Sequence, residues 1–325
     1  AMQPSGKPLV IFNHDNWLWN EACTVSDGDV SIDFKSHNLK AFIYGHYHDQ
    51  FTTRFDCGVR LYTTSTADKG GRHHCPSACR EFSFDIGDKG GIRSKTIFTD
   101  IKNHLVSFAY RENGKVKVVA SAYHSIGNDK KLTVRYGEEK IPMRQRTNFA
   151  WDAEVPYRSG DIEVIATFSD GNRISCPTKV DSILKWVENL GGNIYFTKPV
   201  LHDRVIYTAS IDDDNLEKCG IHALDAKSGK KIWYFHTRNS VVNDIAYADG
   251  KILACDTESI LYAIDAKTGK LEWKRQLSKN LRRMLKNGVC LQDGIVYTGQ
   301  LSDLSALSVS DGKGLWKCKN RIRGE

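Results

Sequence analysis

The sequence predicts a multidomain chain that joins an α/β portion to all-β portions, and three observations carry that reading. Apolar runs at Pro8-Leu9-Val10-Ile11-Phe12 and Ala41-Phe42-Ile43-Tyr44 each lead into histidine, as strands of a mostly parallel sheet do at their carboxyl ends. Between Lys102 and Pro177, short period-two runs alternate with Asn-Gly and Asp-Gly dipeptides, the marks of antiparallel hairpins. Beyond Ile183 a tryptophan recurs about every 40 residues in a repeated context, the spacing of propeller blades.

The run Ala41-Phe42-Ile43-Tyr44 reads as a strand covered on both faces, after which Gly45 lets the backbone turn into His46-Tyr47-His48-Asp49. Open α/β sheets place ligands at such strand ends. Upstream, Asn13-His14-Asp15 follows its own apolar run, so two strand ends offer three imidazoles. Neutral imidazole is a good ligand for divalent transition metals. A single histidine at a strand end is ordinarily a hydrogen-bonded structural residue; the pair at i and i+2 raises the metal reading.

This order, strand-His, a crossover of some thirty residues, then strand-Gly-His-X-His, resembles the second half of a calcineurin-like metallophosphoesterase domain, over about Lys7 to Ile101. The resemblance implies half of an α/β sandwich in which His14 and His46 share one metal ion and His48 binds its neighbour. It also implies divalent manganese, iron or zinc in the intact protein, a phosphoester substrate, and Asp15, Tyr47 and Asp49 as candidates for orienting the ligands. The family's Asp-X-His, its bridging Gly-Asp and its Gly-Asn-His have no counterpart before Lys7. No complete catalytic set is therefore expected, and the missing half or another chain is an implied partner. Ala1 ahead of Met2 resembles a cloning remnant and is left out of the fold reading.

With 325 residues, 40% apolar and 26% charged, the chain is long enough for two or three domains of ordinary globular composition. Nothing approaches a membrane span, and no secretory leader is read at the start. The net charge is +7, and residues 251–325 hold 14 basic against 8 acidic side chains. A solvated basic face accounts for that excess better than a nucleic-acid or acidic-lipid surface. Nine cysteines scattered among strand residues do not form a disulfide framework. His73-His74-Cys75-Pro76-Ser77-Ala78-Cys79 offers zinc ligands superficially, but its spacing is loose, and a loop beside Gly70-Gly71-Arg72 is preferred. Compartment stays open: the architecture leans to an exported protein, periplasmic or secreted, while unpaired cysteines lean the other way.

In chain order, residues 1–101 form the first unit. Trp17 and Trp19 are equally a cleft wall or crossover core, Ser31 to Lys40 reads as a short helix, and Arg60–Thr64 and Glu81–Ile86 alternate as strands. Residues 102–177 read as an antiparallel β-sandwich, immunoglobulin-like in size, with Trp151 in its core and no catalytic pattern. Residues 178–325 carry the repeat. Ala223-Leu224-Asp225-Ala226-Lys227-Ser228-Gly229 leads to Trp233, and Ala263-Ile264-Asp265-Ala266-Lys267-Thr268-Gly269 leads to Trp273. Ala306-Leu307-Ser308 with Gly312 and Trp316 is a weaker third copy, and Trp186 an earlier member. Each tryptophan is expected to pack between adjacent blades.

These copies resemble the pyrroloquinoline-quinone-type propeller repeat. Quinone enzymes of that kind use a vicinal cysteine pair, absent here, so no quinone cofactor is expected. About three blades cannot close a ring. Both ends look cut, and self-association through an open propeller edge is expected. The main functional reading is metal-dependent phosphoester hydrolysis in the intact protein, this chain being an incomplete portion. The rival is a non-enzymatic propeller scaffold or binding protein.

Overall fold

In the computed structural model, the residues described are 6–16, 23–71, 75–85, 91–101, 103–125, 130–194, 197–278, 288–300 and 303–319. Among them every regular element is a strand. The α/β expectation is corrected to all-β. Trp17, Trp19, Ile86, His73 and His74 lie outside the described residues.

The first unit contains β1 (Leu9–Asn13), the hairpin β2 (Thr24–Asp27) and β3 (Val30–Asp33), then β4 (Leu39–Tyr44), β5 (Phe51–Arg54) and β6 (Arg60–Thr63). β1, β4 and β6 run parallel, and β5 joins β6 antiparallel at the edge. Strand β4 is buried along nearly its whole length, which explains its unbroken apolar run. The helix expected over Ser31–Lys40 is replaced by β3 and a turn. Asp33 Oδ1 accepts the Lys35 N–H at 2.9 Å, and Ser36 Oγ donates to Asp33 O at 2.7 Å. Such short-range side-chain bonds offer the backbone an alternative to a helix.

The hairpin β7 (Ala78–Phe84) and β8 (Ile92–Phe98) follows, and then two sheets share one core. Their strands are β9 (His104–Glu112), β10 (Lys115–Tyr123), β11 (Lys130–Tyr136), β12 (Glu139–Pro142), β13 (Arg144–Gln145), β14 (Ala150–Pro156), β15 (Ile162–Phe168), β16 (Arg173–Thr178) and β17 (Val180–Asp181). One sheet has the order β13-β14-β10-β9-β17 and the other β12-β11-β15-β16. Alternate residues point inward: Val116, Val118, Ala120 and Ala122 from β10 share one core with Ile162, Val164, Ala166 and Phe168 from β15, and Trp151 belongs to it. Asn113 and Gly114 carry the positive φ angles of a tight hairpin, 49° and 76°.

Three four-stranded antiparallel sheets complete the chain. The first is β18 (Val200–His202), β19 (Val205–Ser210), β20 (Gly220–Asp225) and β21 (Lys231–His236). The second is β22 (Ala246–Ala248), β23 (Lys251–Cys255), β24 (Ile260–Asp265) and β25 (Leu271–Gln276), and the third is β26 (Val289–Gln292), β27 (Ile295–Gln300), β28 (Asp303–Ser308) and β29 (Gly314–Lys319). Each is a simple meander in sequence order. In the second sheet both faces are buried. Ile252, Ala254, Tyr262 and Ile264 pack toward Tyr207, Ile221 and Ala223 of the first sheet, while Leu253, Cys255, Leu261 and Ala263 pack toward Val296 and Leu307 of the third. This is blade-on-blade stacking, in which no sheet buries its apolar faces alone.

Candidate functional site

Among the described residues, the histidine-bearing strand ends and the tryptophan-bearing faces of the blades both gather functional side chains. At the first, β1 and β4 run side by side, so their carboxyl ends bring His14, Asp15 and His46 together. Their ligand atoms all lie within 4.8 Å of one another. His46 Nδ1 is 2.9 Å from Asp15 Oδ1 and 3.3 Å from His14 Nε2, and all three side chains are exposed. Two imidazoles and a carboxylate suit a single divalent transition metal. Asp15 therefore stands at ligand distance, beside the histidines it was expected only to orient. His48 is not a member of this group. The ring of Tyr47 stands edge-on to His46 at 5.2 Å, and Asp49 is buried, lining a cavity of about 680 Å³ between the three regions.

The backbone around this cluster departs from the simple turn at Gly45. Residues His46 and His48 carry the left-handed φ angles, 66° and 53°, and Gly45 N–H donates to His14 O at 3.0 Å. Glycine is needed instead at position 71, where a Cβ would lie 1.9 Å from His48 O. The Gly70-Gly71 loop thus presses against the second histidine's backbone.

Edge strand β5 and the β7–β8 hairpin are covered by loops of the first two blades. Arg238 binds the carboxylates of Asp56 and Glu258 and donates to Arg54 O at 2.6 Å. The Nδ2 of Asn239 donates to Thr52 O and to Glu258 Oε1, both at 2.9 Å. Ser94 and Asn215 exchange two bonds, at 3.0 and 3.1 Å, and Thr96 Oγ1 donates to Asp214 Oδ1 at 2.6 Å. This coverage protects an otherwise open sheet edge.

The second place repeats along the propeller. Indole N–H groups of Trp186, Trp233 and Trp273 donate to Ala226 O, Ala266 O and Val309 O of the following blade's turn, at 3.1, 2.9 and 3.0 Å. Under each ring lies a glycine in the left-handed region: Gly229, Gly269 and Gly312, at φ 70°, 71° and 68°. Asp225 and Asp265 close their turns by accepting the backbone and hydroxyl groups of Ser228 and Thr268. Those bonds hold both carboxyls below their ordinary pKa.

On the third blade the same ladder is present, with no cover among the described residues. Tyr207-Ala223-Trp233 are cross-strand neighbours in the first blade, and Tyr297-Ala306-Trp316 in the third. Trp316 is 47% exposed, and Leu304 is 46% exposed where its counterparts Ile221 and Leu261 are at 0%. Among the described residues no carbonyl accepts from Trp316.

Stacked four-strand meanders with an indole docked on the next turn define a β-propeller protein of the quinone-repeat type. A family model described as outer membrane protein assembly factor BamB matches residues 144–321, more than half of the sequence, and the chain belongs to that family. A quinohemoprotein alcohol dehydrogenase, ADH IIB of Pseudomonas putida, is 27% identical over 138 residues, covering 37% of this chain and 19% of the relative. The chain thus spans about a fifth of that curated relative's length. Among solved structures, BamB from Moraxella catarrhalis is 16% identical with a TM-score of 0.32, covering 65% of this chain and 60% of its own. The quinohemoprotein alcohol dehydrogenase ADHIIG from Pseudomonas putida HK5 is 22% identical with a TM-score of 0.32, covering 38% and 20%.

These findings overturn the metallophosphoesterase resemblance. The family that matches is the propeller family, and among the described residues the crossover from β1 to β4 holds a hairpin where the α/β sandwich would use a helix. A Gly-His-X-His element after a buried strand is short enough to arise without the rest of that family's architecture. Nor do the relatives named here support the immunoglobulin-like description of the sandwich. Sequence reasoning found the docked tryptophans but missed Arg238, Glu258 and Asp56, which meet across about 180 residues with no local pattern to announce them.

Proposed function

We propose that the chain is a non-enzymatic binding scaffold built on quinone-type propeller blades, with the outer face of the third blade as its docking surface. The observation that carries this is the tryptophan series: three indoles are docked on a neighbouring turn, and the fourth, Trp316, is exposed beside Leu304. The occupant that fits is a further β-blade, presenting a turn with a free carbonyl and a glycine beneath the indole. The family's description as an assembly factor supports a role in holding proteins together, and its outer-membrane association supports the lean to an exported protein. No quinone cofactor is part of this proposal. Phosphoester hydrolysis is not part of it either.

In a solution of the chain alone, the available occupant is the same face of a second copy, a self-complementary contact. Light scattering over a concentration series tests it. Concentration-dependent dimers that Trp316→Ser disperses are expected. A compact monomer at every concentration, with the same profile for Trp316→Ser, would count against the docking face.

A further inference from the structure

We infer that Cys23 and Cys57 form a disulfide when the protein meets an oxidising thiol–disulfide couple, stapling the β2–β3 hairpin to the β5–β6 turn. Their sulfurs lie 3.5 Å apart although 34 positions separate them in sequence, and no bond joins them in the structure. A disulfide needs about 2.05 Å, so the two side chains must close roughly 1.5 Å. The turn that carries Cys57 can supply that movement: Gly58 sits at φ 94° with open space around it, and Cys57 itself is exposed.

Metal binding is the competing use of two adjacent thiols. It needs further ligands, and among the described residues the one cluster of three or more metal-binding groups is the distant His14, Asp15 and His46. Oxidation needs only the pair.

The environments of the two sulfurs assign the order of steps. Cys23 is at 0% exposure, packed with Phe34, Leu39 and Phe42, so an oxidant reaches only Cys57. With oxidised glutathione, the Cys57 thiolate attacks one glutathione sulfur, forms a mixed disulfide and releases one glutathione thiolate. Cys23 then loses its proton and attacks the Cys57 sulfur from the inside, breaking the Cys57–glutathione bond and releasing the second thiolate. The two cysteines together lose two protons and two electrons, which the glutathione disulfide takes up.

The location gives the bond a consequence. Cys57 follows Asp56, which Arg238 holds against the second blade, so the staple would anchor the turn that clamps the first unit to the propeller.

Thiol counting after incubation with oxidised glutathione tests this. The folded protein is oxidised, quenched with acid, unfolded and alkylated, and its intact mass and cross-linked peptides are read. Cys23 and Cys57 should both escape alkylation in one peptide joining residues 23 and 57, whatever glutathione the exposed Cys79, Cys290 and Cys318 carry. Cys57→Ser, at an exposed site that leaves the fold intact, should leave Cys23 unlinked and alkylated after unfolding. Cys23→Ala should instead hold glutathione on Cys57, because the resolving sulfur is gone. Nine alkylated thiols in the wild type, a persistent glutathione adduct on its Cys57, or a link between other cysteines would overturn the inference.

Discussion

A side chain added at Gly312 would place its Cβ 2.6 Å from Cε3 of Trp273, so this glycine and this indole are fitted to each other across the interface of the second and third blades. The same relationship joins Gly269 to Trp233 at 2.7 Å and Gly229 to Trp186 at 2.4 Å. Because each glycine is also left-handed, it answers two demands at once.

Gly269→Ala should therefore destabilise the chain by about 2–4 kcal/mol, from backbone strain together with overpacking against Trp233. Chemical denaturation of the variant measures it. A loss under about 0.5 kcal/mol, in the range of ordinary surface substitutions, would show that the indole moves aside freely.

Docked and exposed tryptophans should differ sharply. Trp273→Ala empties a buried slot and removes the bond to Val309, and it should cost about 3–5 kcal/mol. Trp316→Ala should cost the monomer less than about 1 kcal/mol, since its ring is half exposed. Equal losses from the two substitutions would contradict the reading of the third blade's outer face.

The buried His222 should impose a pH dependence. Its Nε2 lies 2.8 Å from Ser210 Oγ, and the Ser210 hydroxyl donates to Lys218 O at 2.6 Å, which assigns the histidine proton to Nε2. Burial, aided by Lys231, pushes its pKa down to about 4. A folded pKa below the free value means stability is fully present above pH 6.5 and is lost as pH falls toward 4, by up to about 3 kcal/mol. Urea unfolding at pH 4 to 7 should show a steeper loss for the wild type than for His222→Gln. Identical slopes would remove His222 as the cause.

The imidazole cluster should bind at most one divalent cation per chain. Two cations at short separation would face one carboxylate, Asp15, and their repulsion would go largely uncompensated. Calorimetric titration with zinc, after chelator treatment, should give a single site that His46→Ala abolishes and His48→Ala leaves in place. Two tightly held ions, or binding that survives His46→Ala, would dismiss this geometry.

Much of the propeller was legible in the sequence because its determinants are local and repeated. The turn Asp-X-X-Thr/Ser-Gly closes on itself through Asp265 and Thr268, and the near-continuous apolar run Ile260–Asp265 before it is a strand with two buried faces. The spacing of tryptophans named Trp186, Trp233 and Trp273, which dock about one repeat away, together with Trp316, which is exposed and has no such contact among the described residues. The strands ending in His14 and His46 were readable for the same reason, as apolar runs of strand length. What the sequence alone left undecided was everything set by distant partners. That Asp15 joins His14 and His46 while His48 does not depends on parallel pairing of β1 with β4 and on left-handed backbone at His46 and His48. The meeting of Arg238 with Asp56 and Glu258, and of Cys23 with Cys57, required the first unit to fold onto itself and onto the blades. Such contacts leave no periodic trace, because hydrogen bonds and sulfur contacts depend on where two backbones are brought together, and only the tertiary structure brings them there.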